Sequence, residues 1–243
     1  MTQVLQNNEQ FFNNKNVLSK KRYLLKGLNV ENAENLWNLD GVGIYSMTPI
    51  LLSKWLFRHL KIGTNKKILE TCAGVGGDTS VLVNLKNHVT TFETDSKRFD
   101  MFRNNMKLAG ANYYEAYNTK CDLSLASNND ILYIDVPWGG ENVLTDETIE
   151  NLYLGDKELC DVMKTVINNH GGKNLMLIFK IPPNYSHEKL QDSAIKICEN
   201  TSYNINIEFI IPPNASEINI PEKDRKMKIP NIRWFVLKLN SPN

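Results

Sequence analysis

Cysteine is scarce and dispersed in this chain of 243 residues: Cys72, Cys121, Cys160 and Cys198 include no Cys-x-x-Cys pair. Such spacing argues against a zinc site and offers no disulfide framework, so reduced thiols in a cytosol-like compartment are expected. His59, His88, His170 and His187 have no metal-ligand spacing either, and no metal site is expected. An excess of charge is also missing. With 28 Lys and Arg against 27 Asp and Glu, the net charge is +1 and the pI near 7.6, which argues against a broad groove for long nucleic acid. Any nucleic-acid ligand should be gripped locally. No apolar run approaches the ~20 residues of a membrane span, and the start Met-Thr-Gln-Val-Leu-Gln-Asn-Asn lacks the basic segment and apolar core of a secretory signal. A soluble, monomeric, intracellular protein is expected, cytoplasmic or nuclear, with no membrane partner. What the chain does have is 42% hydrophobic residues in 27.8 kDa, enough for one large core without staples.

Two regions are expected: a helical N-terminal extension over residues 1–62 and a main domain over 63–243. A polar, Asn-rich arm around Phe11 and Phe12 precedes Lys21–Leu39. There Tyr23, Leu24, Leu28, Ala33, Leu36 and Trp37 recur at helical intervals. After a turn at Asp40-Gly-Val-Gly, Tyr45-Ser-Met-Thr-Pro49 leads into an amphipathic helix bearing Ile50, Leu51, Trp55, Leu56 and Leu60. Thr48 is expected as its N-cap and Pro49 at its first position.

Strands and helices then alternate. Strands are predicted at 67–71, 88–93, 112–115, 130–135, 174–180, 205–211 and 233–239, and helices at 78–85, 97–109, 145–154, 157–168 and 187–199. The last two strands have no helix between them and read as an antiparallel hairpin joined by the loop 212–231. A seven-stranded, mostly parallel α/β sheet ending in such a hairpin is, by fold-level analogy, the Rossmann-like architecture of class I methyltransferases.

Glu70-Thr-Cys-Ala-Gly-Val-Gly-Gly77 ends a strand and opens a helix. Its glycines let main-chain N–H groups approach a ligand, or serve only tight strand–helix packing. The Gly-Lys-Ser/Thr ending of a phosphate loop is absent, and Gly74-Val-Gly-Gly-Asp-Thr is not a dinucleotide fingerprint. Glu70, Ala73, Gly74, Gly76, Asp78 and Thr79 are the candidate cofactor residues here, joined by Asp135 further along, with Asp78 read either as a ligand or as a helix cap. Glu93, some twenty residues after the loop at a strand tip, is placed to accept from both hydroxyls of a ribose. Asp95 is read as the cap of the next helix. Asp122 either accepts from an adenine amino group or closes a local turn.

The most discriminating segment is Asp135-Val-Pro-Trp-Gly-Gly140, at the carboxyl end of a predicted parallel strand. An exocyclic amine on a purine is a poor nucleophile because its lone pair is delocalised into the ring. Asp135 can accept the amine hydrogens as the new bond forms, Trp138 can stack on the base, and Pro137 stiffens the turn between them. A lone Trp would read as an ordinary core or turn aromatic, but Pro137, Gly139 and Gly140 beside Trp138 favour the stacking role.

In order along the chain, Tyr45-Ser-Met-Thr-Pro49, Ala73-Gly-Val-Gly-Gly77, Arg103-Asn-Asn105 and Pro137-Trp-Gly-Gly140 resemble the motifs of the trimethylguanosine synthase catalytic domain. The resemblance implies methyl transfer from S-adenosyl-L-methionine, leaving S-adenosyl-L-homocysteine, to the exocyclic amine of a 7-methylguanosine-capped RNA. It also implies that the cationic base stacks on Trp138. Two departures stand out. Asp135-Val136 replaces the family's Ser-Pro, which also brings the segment near the Asp/Asn-Pro-Pro-aromatic motif of adenine and cytosine amino-methyltransferases. Ile181-Pro-Pro-Asn184 replaces Pro-Arg-Asn, which removes a phosphate-binding arginine. Lys180 is its nearest substitute, with Asn184 beside it and Lys223, Arg225, Lys226 and Lys228 as further candidates. Ser46 and Thr48 are read as cap residues or substrate contacts, and Arg103 as exposed. A catalytically silent scaffold in RNA capping is the non-enzymatic alternative.

Overall fold

The computed structural model describes residues 15–139, 148–214, 218 and 231–242. Phe11, Phe12, Gly140 and the basic segment 223–228 lie outside the described residues. The extension is helical. It comprises α1 (Lys15–Leu25), α2 (Ala33–Leu36), α3 (Gly41–Ser46) and α4 (Ile50–His59). Gly27, at φ 89°, turns the chain after α1. The predicted turn after Asp40 is instead helix α3, because the Asp40 carboxylate caps it by accepting the Gly43 N–H at 2.6 Å. Thr48 does not cap α4. The Pro49 carbonyl accepts the first helical N–H groups, and the Thr48 hydroxyl is used elsewhere.

The main domain continues with β1 (Lys67–Glu70), α5 (Gly77–Asn84), β2 (His88–Phe92), α6 (Ser96–Leu108), β3 (Tyr114–Tyr117), a 3-10 turn (Leu123–Asn128) and β4 (Ile131–Ile134). A two-residue hairpin follows, β5 (Tyr153–Leu154) and β6 (Lys157–Glu158), and then α7 (Leu159–Asn169), β7 (Leu175–Ile181), α8 (His187–Cys198), β8 (Asn204–Ile210) and β9 (Arg233–Asn240). The predicted helix 145–154 fails over its described part. Ile149 bridges to Tyr185, and residues 153–154 pair with β6.

The seven-stranded sheet has the order β3-β2-β1-β4-β7-β9-β8. β9 runs antiparallel to both β7 and β8, and the other pairs are parallel. Strand periodicity sorts the core onto two faces. Ile68, Tyr133, Ile178 and Trp234 pack on one face with α4, α5 and α6. Their neighbours Leu69, Leu132, Phe179 and Phe235 pack on the other with α7 and α8. Buried residues of the extension, Trp37, Ile44, Leu52 and Phe57 among them, belong to the first of these cores, so α1 to α4 are a covering layer of the same sheet. The strand order reverses between β1 and β4. In an open α/β sheet, that reversal opens a crevice at the strands' carboxyl ends.

Candidate active site

The crevice holds a narrow cleft of ≈ 30 Å³. Ser46, Thr48, Glu70, Ala73, Gly74, Asp78 and Asp135, all singled out from the sequence, line it together with Met47, Cys72, Val75 and Gly77. The glycine turn supplies one wall, and its three glycines divide the work. Gly74, at φ 54°, would carry a Cβ into open space, so its main chain is accessible. A Cβ on Gly76, at φ 90°, would stand 2.5 Å from Met106 Cε, and one on Gly77 would stand 2.9 Å from Met47 Cγ. Packing therefore requires glycine at both positions, and Gly77 also lines the cleft.

Asp78 is not the helix cap. It lies in the first turn of α5 and accepts from three hydroxyls, Thr48 at 2.9 Å, Tyr133 at 3.2 Å and Ser53 in a short contact. Glu70 is 1% exposed and accepts from Thr79 at 2.5 Å and Thr91 at 2.9 Å. Burial, reinforced by the nearby carboxylates of Asp78 and Asp135, pushes Glu70 up to about 8. Thr79 thus serves the cleft from behind, through Glu70. At the tip of β2, Glu93 accepts the Asp95 N–H at 2.8 Å and a bond from the Gly74 N–H, while burial raises its pKa. Asp95 caps α6, as expected.

On the turn leaving β4, Asp135 is buried enough to be pushed up to about 6, against the opposing pull of Lys180. Trp138 stands beyond the cleft lining, half-buried, with its indole N–H donating to the Lys180 carbonyl at 3.3 Å; Pro137 is exposed. Lys180 does not reach for phosphate. Its side chain is 2% exposed, and its ammonium donates to Asp135 Oδ2 at 2.7 Å and to the Ser46 carbonyl at 2.9 Å. The Ser46 hydroxyl turns back to Val42 O. Asp122 is exposed and closes a local turn by accepting the Ser124 N–H, so the structure does not bring it to the cleft. Asn184 lies past β7, where its carbonyl accepts the Ile149 N–H at 2.9 Å. Arg103 is exposed, as read.

Sequence reasoning missed the residues that hold these parts together. Arg98 donates to Asp40 at 3.0 Å and lies 3.6 Å from Glu93, joining the extension to the β2 tip. Asn105, fully buried, accepts the Asn38 N–H and donates to the carbonyls of Asn38 and Val75. The Arg-Asn-Asn motif marked Asn105, but nothing local to it signals its partners. Among the described residues, no group of three or more His, Cys, Asp or Glu side chains could hold a metal ion, and no helix is long and apolar enough to cross a membrane.

Sheet order and crevice define a Rossmann-like class I methyltransferase fold. No protein-family model and no curated protein matches the chain. Among solved structures it is similar to the protein PH0851, at 13% identity over 78% of this chain and 46% of that one, with a TM-score of 0.50. It is also similar to a precorrin 8w decarboxylase from Methanobacterium thermoautotrophicum (14%, 78% and 90% of the two chains, TM-score 0.48). A third is precorrin-6y C5,15-methyltransferase from Geobacter metallireducens (14%, 79% and 86%, TM-score 0.47). These are likenesses of fold. The resemblance to trimethylguanosine synthase rests on sequence motifs alone.

Proposed function

We propose that this chain is an S-adenosylmethionine-dependent methyltransferase that modifies the exocyclic amine of a purine, with the guanine of a 7-methylguanosine RNA cap as acceptor. The observation that carries the reading is the joining of two parts at one sheet crevice. A cleft walled by the open Gly74 turn, the Glu70 carboxyl and the carboxylates of Asp78 and Asp135 lies beside a turn that carries Trp138.

The donor set fits the cofactor. S-adenosylmethionine carries an ammonium and a sulfonium, and carboxylates complement both. Gly74 would admit its amino-acid end, and Glu93 would accept from its ribose. When bound, the cofactor supplies an electrophilic methyl group. With the cofactor bound, Asp135 would accept the amine proton as the amine nitrogen takes the methyl group, the donor being released as S-adenosyl-L-homocysteine. A carboxyl raised to about 6 remains ionised at neutral pH yet is a stronger base than an ordinary carboxylate. Trp138 orients the base, and Lys180 balances the charge of Asp135.

Methyl transfer to 7-methylated cap dinucleotide, unmethylated cap dinucleotide and adenine- or cytosine-bearing oligonucleotides tests the reading. Turnover confined to the 7-methylated cap supports it. Equal turnover on the unmethylated cap refutes the role of the cationic base, and turnover on adenine or cytosine alone moves the assignment to the nucleic-acid amino-methyltransferases. A chain that binds no S-adenosylmethionine by calorimetric titration is not an enzyme of this class.

A further inference from the structure

A lysine is almost never fully buried without a partner, because its ammonium gives up strong hydration. Lys180, on the inner strand β7, is 2% exposed and has partners of three kinds. Its ammonium donates to Asp135 Oδ2 at 2.7 Å on the turn after β4, and to the Ser46 carbonyl at 2.9 Å, the last residue of α3. The same ammonium stands 5.7 Å from the centroid of the Trp138 ring, and the Lys180 carbonyl accepts the Trp138 indole N–H at 3.3 Å. One residue therefore touches the candidate base, the candidate stacking platform and the helix that covers the cleft.

We propose that Lys180 is a positioning residue that clamps Asp135, Trp138 and the end of α3 into a single unit beside the cleft. This rests on the amino-methyl transfer reading given above. The groups facing Asp135 are Lys180 from β7, Asp78 from α5, Glu70 from β1, Cys72 from the glycine turn and Tyr133 from β4. Lys180 alone among them is a cation. Burial and Asp78 raise the Asp135 carboxyl, and the ammonium opposes them. Without the ammonium, Asp135 keeps its proton at neutral pH. It then presents an O–H where the acceptor amine needs a lone pair, and the carbonyl of Ser46 loses its donor.

The test compares wild type with Lys180→Met, Lys180→Gln and Lys180→Arg in two measurements. Methyl-transfer rates across pH 5 to 9 report the acid limb of kcat. Carbon NMR titration of the Asp135 carboxyl, assigned with Asp135→Asn, reports ionisation without any turnover. In wild type both are expected at about 6. In Lys180→Met both should move up by about two units, with kcat at pH 7 falling about tenfold and recovering towards pH 9, while KM for the methyl donor changes little. Lys180→Gln, which keeps a donor without charge, should show the same shift and serves if the Met variant does not fold. Lys180→Arg should return the limb to near the wild-type position. A merely structural lysine would lower activity evenly at all pH values, and an unmoved Asp135 titration in the Met or Gln variant overturns the clamp. If wild type methylates no base while the titration still shifts, the clamp stands and the proposed function falls.

Discussion

Replacing Asn105 by leucine isolates the link between the glycine turn and the N-terminal layer. Asn105 is fully buried on α6 and makes bonds of 2.7 Å from the Asn38 N–H, 2.8 Å to the Asn38 carbonyl and 2.9 Å to the Val75 carbonyl. Leucine has nearly the same shape and satisfies none of the three. The Val75 contact is buried, and its orphaned carbonyl costs about 1–3 kcal/mol; the two Asn38 groups are partly buried and can recruit water, at about 0.5–1 kcal/mol each. A loss of about 3 kcal/mol is therefore expected, against a total of about 5–15 kcal/mol for a folded domain, so the protein should still fold. Urea unfolding followed by far-UV circular dichroism should show a lower midpoint at unchanged slope. Because Val75 belongs to the turn lining the cleft, calorimetric titration should also show S-adenosylmethionine binding weakened by about tenfold. Asn105→Asp, which keeps the acceptor for Asn38 but loses both donors and buries a charge, should be no better. A leucine variant within about 0.5 kcal/mol of wild type, the ordinary range for inconsequential surface changes, with cofactor affinity intact would refute the coupling.

The two strained glycines should separate packing from binding. Gly76→Ala forces a Cβ to within 2.5 Å of Met106 and should lose about 2–3 kcal/mol, whereas Gly74→Ala meets no protein atom, should lose about 1 kcal/mol and should abolish cofactor binding in the same titration. Glu70→Gln keeps an acceptor for Thr79 and Thr91. Since the folded pKa of Glu70 is raised to about 8 from 4.5, its contribution to stability is fully present below 4.5 and is lost as pH rises through 8. The glutamine variant should therefore match wild type near pH 4.5 and exceed it by a few kcal/mol at pH 8.5 in urea unfolding; a constant gap across that range would contradict the burial of Glu70 as a carboxyl. Arg98→Met removes the partly exposed tie to Asp40 and Glu93; it should cost at most about 1 kcal/mol of stability yet weaken cofactor binding measurably, and unchanged affinity would deny Glu93 a role there. Trp138→Ala should nearly abolish turnover while cofactor affinity survives; retained turnover would remove the stacking platform.

What was legible in the sequence is what repeats or is local. Strand periodicity and the glycine turn placed β1, the helix after it and the parallel order, and Asp95 declared its cap because that bond closes within three residues. Residues 148–154 misled because Ile149, Leu152 and Leu154 mimic a helical stripe, while their backbone pairs with Tyr185 and with β6. Thr48-Pro49 is a sound capping pattern, but a buried carboxylate thirty positions away outcompetes the local N–H for the hydroxyl. Lys180 was read by its neighbours in sequence as a phosphate ligand. Its partners Ser46 and Asp135 are 134 and 45 residues distant, and no pattern within a strand could announce them.

These long-range polar ties share a direction, and it bears on how the site is built. The cleft wall contributed by β1, β2 and β4 is joined to the N-terminal layer by Asp78 with Thr48 and Ser53, by Arg98 with Asp40, by Asn105 with Asn38, and by Lys180 with Ser46. Each tie starts from a residue at or beside the carboxyl ends of the strands and ends on the segment from residue 38 to 53. Apolar contact alone would hold that layer against the sheet without fixing its position, because hydrophobic burial is non-directional. Hydrogen bonds with buried partners are directional and costly to leave unmade, so they set where α3 lies over the cleft. The fold supplies the crevice, and these four ties bring Ser46, Met47 and Thr48 to its rim. On this reading, discrimination among acceptor bases resides in the junction between the helical layer and the sheet, where Lys180 holds Asp135 and Trp138 together.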